Sequence, residues 1–235
     1  MSRYSRQTFT AFTLASNKST TSDGSSSSSP AASVASALSK AVGNDFNLML
    51  DSRSGYDLGE AVKVGRAIHE LGFLWYEDPL PTTDIYNYSK LLEKMDIPVI
   101  ATEFPTGWLE DYAPWIINKA TDMLRGDVMI KGGITSMLKI AHLAEAFAMN
   151  IEIHHGGNSM NDVANLHLQM ALPNTRFMEV LLPHDAWWHG LIEEIQIDAQ
   201  GYAHAPIKPG LGYEIDQELV ARISSQCLVK FGGKF

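Results

Sequence analysis

From about residue 37 onward, short apolar runs alternate with longer amphipathic stretches. The runs 46–50, 73–76, 98–101, 128–130, 151–153 and 177–182 have the length and content of buried strands. Between them, 58–71, 86–95, 112–124, 136–149 and 160–171 carry helical patterns. In the fourth of these, Leu138, Ala141 and Ala144 recur at three-residue spacing, as on one helix face. Strands alternating with helices of this length predict βαβ units and a parallel sheet, an α/β fold. A further helix is expected over about 216–229.

Residues 1–36 break the pattern. They are rich in Ser and Thr, with an unbroken serine run from Ser25 to Ser29, and show no sustained helical or strand period. Such a stretch buries too little apolar surface to offset chain entropy, so a disordered tail is expected there. Arg3, Arg6 and Lys18 stand in the first 22 residues with no acid among them. That composition loosely fits an organelle transit peptide. The plainer reading is a floppy tail or an artefact of gene prediction. The expected organisation is a tail over 1–36, a barrel domain over 37–212 and a helical extension over 213–235.

The chemistry follows from what stands at the strand ends. Asp51, Glu77, Glu103, His154 and Glu179 each lie at or near the C-terminal end of an expected strand, and Asp127 opens the fourth one. Between 24 and 27 residues separate each of these from the next, the length of one strand, one helix and two loops. A polar group at one end of each strand puts all six on one face of the sheet. In a (β/α) barrel that face carries the active site. Three carboxylates brought together, Asp51, Glu77 and Glu103, repel one another unless protonated, well hydrated or bound to a cation. Oxygen donors without Cys or His point to Mg²⁺ or Mn²⁺ rather than zinc. Asp127 beside His154 would fix the imidazole tautomer and raise its basicity.

Composition narrows the partners. The chain has 18 Lys and Arg against 27 Asp and Glu, a net charge of −9, and a pI near 5.3. An acidic chain is a poor candidate for nucleic acid or an anionic membrane. No apolar run approaches the ~20 residues of a membrane span. The lone Cys227 excludes an internal disulfide and any zinc site built on several cysteines.

The segments LMLDS (48–52), WYEDPL (75–80), ATEF (101–104), DVMIKGGIT (127–135), EIHHGGN (152–158) and FMEV (177–180), with KPGLG (208–212), resemble the barrel domain of the enolase superfamily. The branch they resemble is that of mandelate racemase and the acid-sugar dehydratases. The resemblance implies Asp51, Glu77 and Glu103 as Mg²⁺ ligands, and an Asp127–His154 dyad with His154 as general base. It implies Glu179 as an acid that hydrogen-bonds the substrate, donating from a neutral carboxyl to the enolate oxygen. His154 fits better than His155 because it directly follows the strand 151–153.

The implied activity is Mg²⁺-dependent proton abstraction α to a carboxylate. Dehydration of a sugar acid by a lyase comes first, because one residue, His154, can both take the α-proton and return one to the leaving hydroxyl. A racemase, epimerase or cycloisomerase on the same scaffold is the alternative, and a truncated, inactive paralogue or fragment a third reading. The implied partner is a small-molecule carboxylate, and related enzymes commonly form homo-oligomers. The compartment reads as cytoplasmic, with mitochondrial as the alternative from the N-terminal composition.

The chain departs from that family pattern at its start. The resemblance leaves out the capping domain and the first two barrel strands, including a Lys-bearing K-x-K strand. A partial TIM-type barrel of about six βα units is therefore expected, with two exposed parallel edges. Lys131 is a possible substitute for the lysine, against a simpler reading as a loop residue before Gly132–Gly133. Trp187–Trp188 could wall the pocket, although packing is the plainer role.

Overall fold

The computed structural model describes residues 5–9, 12–13, 30–43, 45–104, 107–183 and 190–230. Five parallel strands form the body of the sheet: β3 (Leu50–Asp51), β4 (Tyr76–Glu77), β5 (Val99–Ala101), β6 (Met123–Gly126) and β7 (Ile151–Ile153). The helices between them are α2 (Leu58–Glu70), α3 (Ile85–Leu92), α4 (Leu109–Ile117) and α5 (Ile134–Ala146). After β7 come α6 (Ser159–Ala171), β8 (Phe177–Glu179), β9 (Tyr202–His204) and α7 (Gln217–Lys230).

The tail expectation is corrected at three places. Ser5–Phe9 is a strand, β1, parallel to β8 and antiparallel to β9. Phe12–Thr13 is a strand, β2, parallel to β3. A helix, α1, runs from Pro30 to Val42, across the expected boundary at 36/37. The segment SRQTF has no period-2 apolar pattern, so nothing local marks it as a strand. Its backbone is recruited by ladder partners on β8, a case of context overriding propensity. Pro30 suits the first turn of a helix, and Ala35 is buried in the outer core. The remainder of 1–29 lies outside the described residues.

The expectation of two bare parallel edges is corrected with it. The edge of β3 is taken by β2 and that of β8 by β1. Between β7 and β8 the link is Ile151 N donating to Asn174 O (2.9 Å) and the Glu152 carboxylate accepting from Arg176 N and Phe177 N (3.2 and 3.1 Å). Phe177 on β8 packs with Met49 and Trp75, just before β3 and β4, and with Ile100 of β5 and Met123 of β6, in one interior layer.

Strand alternation sorts the rest. Leu50, Tyr76, Val99 and Ala101 face α1–α4 in one outer cluster, and Leu124, Ile151 and Ile153 face α4–α6 in another. The opposite parity sends Asp51, Glu77, Arg125, Glu152 and Glu179 inward. Helix α2 starts on a reciprocal cap in which Asp57 accepts from Glu60 N and Glu60 accepts from Asp57 N.

One strand was expected in the wrong place. Residues 128–130 form a turn, and β6 is Met123–Gly126 instead. Asp127 thus stands at the C-terminal end of its strand, as the other site residues do. The helix expected over 112–124 accordingly ends at Ile117.

Candidate active site at the C-terminal strand ends

Asp51 and Glu77 close β3 and β4 and stand opposite each other in the ladder. Glu103 lies two residues past β5, Asp127 one past β6, His154 one past β7, and Glu179 ends β8. All six therefore reach one end of the parallel strands.

The backbone is strained where it presents three of these acids. Thr102, before Glu103, has φ of +86°, and Asp78, after Glu77, has +37°. Arg53 and Ser54, after Asp51, have +47° and +59°. For Thr102, a β-branched residue, this is a costly conformation. It is held by a clasp: Thr102 Oγ1 donates to Arg125 O (3.0 Å) and accepts from Arg125 N (2.9 Å). Tyr112 Oη adds a bond to Arg125 O (2.9 Å).

Asp127 and His154 meet directly, with Oδ2 2.9 Å from Nδ1. Asp127 Oδ2 also accepts from Asn161 Nδ2 (2.8 Å), and Oδ1 from Met129 N (2.6 Å). Burial opposes ionisation of Asp127, but His154 and Asn161 outweigh it and hold the carboxyl below its ordinary range. Burial would likewise push His154 down, yet the bond from Asp127 and the charges of Glu179 and Glu103 raise it above its ordinary value. The other imidazole nitrogen, Nε2, is 3.3 Å from Glu103 Oε1, and the ring is 19% exposed, edge-on to Phe104. His155 is turned away. Its Nε2 is 3.0 Å from Gln169 Oε1, and its backbone N donates to Glu179 Oε2 (2.9 Å).

The residue that sequence reasoning missed is Arg125. Its side chain, 6% exposed, lies among the acids. Nη2 is 2.8 Å from Glu179 Oε2, Nε is 3.6 Å from Glu103 Oε2, and Nε is in ion-pair contact with Glu77 Oε1 without hydrogen-bond alignment. Burial opposes the charge on Arg125, but Glu179, Glu77, Glu103 and Asp51 hold the guanidinium firmly protonated. Burial raises Asp51, Glu77 and Glu103, and pushes Asp78 up to about 8. Glu179 goes the other way. Burial would raise it, but Arg125 and His154 win and keep it below its ordinary range. In place of the expected donating role, Glu179 Oε2 here accepts from Arg125 Nη2 and His155 N. Beside these groups, a cavity of about 20 Å³ is lined by Met49, Trp75, Glu77, Arg125, Phe177 and Glu179, among others.

The donor chemistry of Asp51, Glu77 and Glu103 suits a hard divalent cation, but their arrangement does not. Among the described residues no three of His, Cys, Asp and Glu are grouped closely enough to hold a metal ion. The guanidinium of Arg125 stands among the acids instead.

Lys131 is buried in the turn after β6, with Nζ 5.5 Å from the centre of the Tyr112 ring. Burial lowers its pKa against the pull of Asp111 and Glu103. Trp187–Trp188 lie outside the described residues. Among the described residues no helix is long and apolar enough to cross a membrane.

Comparison with known proteins agrees with this architecture. The chain is 30% identical over 181 residues to arabinonate dehydratase of Saccharolobus solfataricus, covering 76% of this chain and 48% of that protein. It is 29% identical over 196 residues to L-talarate/galactarate dehydratase of Salmonella typhimurium, covering 83% and 46%. A crystal structure of D-glucarate dehydratase from Agrobacterium tumefaciens complexed with magnesium superposes with a TM-score of 0.73 at 36% identity, over 81% of this chain and 50% of that one. The chain spans about half the length of these relatives. The model of the enolase C-terminal domain-like family matches residues 2–219, and the chain belongs to that family.

Proposed function

We propose that the site removes the proton α to the carboxylate of a sugar acid and dehydrates it, with His154 as the base. The observation that carries this is the 2.9 Å contact of Asp127 Oδ2 with His154 Nδ1, which occupies Nδ1 and leaves Nε2, 3.3 Å from Glu103 Oε1, as the nitrogen to act on a substrate. The dehydratases among the relatives support the substrate class.

In this reading Nε2 takes the α-proton and the C–H electron pair moves into an enediolate. The β C–O bond then breaks, and the hydroxide leaves with the proton that His154 returns. The resulting enol tautomerises to a 2-keto-3-deoxy acid, so the net change is loss of one water. Asp127 holds the imidazole and stabilises the imidazolium between the two transfers. Glu179, at the end of β8, hydrogen-bonds the substrate. Mg²⁺ is implied by the family, but Asp51, Glu77 and Glu103 as they stand around Arg125 do not form a site for it, and neither proton transfer passes through it. Racemisation would need a second acid on the opposite face of the substrate.

The test is solvent deuterium exchange at the α-carbon across a panel of sugar acids, followed by NMR. Exchange and accumulation of a 2-keto-3-deoxy product should both vanish in His154→Ala. Exchange that survives this substitution overturns the assignment of the base. Exchange without a keto product would move the reading to racemisation or epimerisation.

A further inference from the structure

The relation of Arg125 to the acids goes beyond the reaction proposed above and does not depend on it. Glu77, Glu103 and Glu179 converge on one guanidinium, and Asp51 is near enough to act on its charge. A buried cluster of carboxylates needs a compensating cation, since uncompensated charge in such a place is far costlier than paired charge. Arg125 is fixed in place from its backbone as well as its tip. Thr102 Oγ1 bonds both its N–H and its carbonyl, and Tyr112 Oη bonds that carbonyl again. Gly126 keeps the next position bare, because a Cβ there would come within 2.7 Å of Tyr112 Oη.

We propose that Arg125 is the resident cation of this acid cluster and that it competes with a divalent ion for Glu77 and Glu103. A divalent ion would bind these two acids only in place of the guanidinium. Its contact with Glu179 is separate, 2.8 Å from Nη2 to Oε2, while Glu77 and Glu103 meet Nε. The consequence is a chain whose fold does not require the metal and whose metal affinity is set by an internal competitor.

The experiment measures ion binding rather than turnover, so its failure is separate from any failure of the reaction assigned to His154. Mn²⁺ binding to the full 235-residue chain is followed by loss of the free-ion EPR signal, for wild type, Arg125→Met and Arg125→Lys. Thermal melts are recorded by circular dichroism with and without millimolar Mg²⁺. Arg125→Met should bind Mn²⁺ about tenfold or more tightly than wild type, the size of an ordinary coupling between two ligands. Arg125→Lys, which keeps the charge but loses the fork, should fall between them. Should Arg125→Met not hold its fold alone, Mg²⁺ must restore it, while the wild-type melting temperature stays nearly unchanged. Three results overturn the proposal: a variant that binds Mn²⁺ no better than wild type, a wild type that loses its Mn²⁺ affinity on substitution, or an unfolded variant that Mg²⁺ fails to rescue.

Discussion

Asp127 Oδ2 and His154 Nδ1 are 2.9 Å apart, and this contact determines which nitrogen of the imidazole is available for chemistry. Asp127→Asn keeps the shape but removes the charge and can present a donor where an acceptor stood. Proton exchange should fall by about 10²- to 10⁴-fold. The sign of the pH effect follows from the raised pKa of His154. The neutral base is populated only above that pKa, so exchange in the wild type should rise with pH beyond the ordinary histidine range. Asp127→Asn should move the rise to lower pH. NMR titration of the His154 ring checks the shift directly.

Glu152 makes the seam between β7 and β8. Its Oε2 accepts from Arg176 N and Phe177 N, and Oε1 is 3.4 Å from Arg176 Nε. Glu152→Ala leaves buried N–H groups without partners and should cost roughly 2–4 kcal/mol in urea unfolding. Glu152→Gln keeps an acceptor oxygen. Burial raises the pKa of Glu152 above 4.5, so ionising it weighs against the folded state once the pH exceeds the ordinary value. Glu152→Gln should therefore be more stable than wild type at pH 8, and the difference should vanish as the pH drops below about 4.5.

Gly126 has no room for a side chain. An added Cβ would lie 2.7 Å from Tyr112 Oη and 3.0 Å from Met137 Sδ. Gly126→Ala should destabilise by about 1–3 kcal/mol through overpacking. With Tyr112→Phe in the same chain, the first of these clashes is gone. A double-mutant cycle should then show a combined loss smaller than the sum of the single ones.

Thr102 joins β5 to β6 through two bonds from one hydroxyl. Thr102→Ser retains both and should unfold at nearly the wild-type denaturant concentration. Thr102→Val leaves the buried Arg125 N–H unpartnered and should lose about 1–3 kcal/mol.

The sequence made the repeat legible because its signals are local. Helix α2 was expected over 58–71 and spans Leu58–Glu70, and α6 was expected over 160–171 and spans Ser159–Ala171. Residue spacing alone brought Asp51, Glu77, Glu103, Asp127, His154 and Glu179 to one face. What escaped has a physical reason in each case. Met123–Gly126 contains a charged residue and a glycine, so it lacks the apolar run that marks a buried strand, whereas Val128–Ile130 has the run and is a turn. Arg125 stands two positions before Asp127, on the same parity, and that signal was readable once the strand was correctly placed. Ser5–Phe9 is a strand only because of what lies beside it, and no window of nine residues contains that information.

Gln7 of β1 is paired with Phe177 of β8, 170 positions later in the chain, and with Tyr202 of β9. During translation this segment emerges long before its neighbours exist. Contacts of such sequence separation form late and slowly. Until then its amides depend on solvent or on chaperones, and a nascent chain stalled before residue 177 would expose β3 through β7 with that flank unprotected.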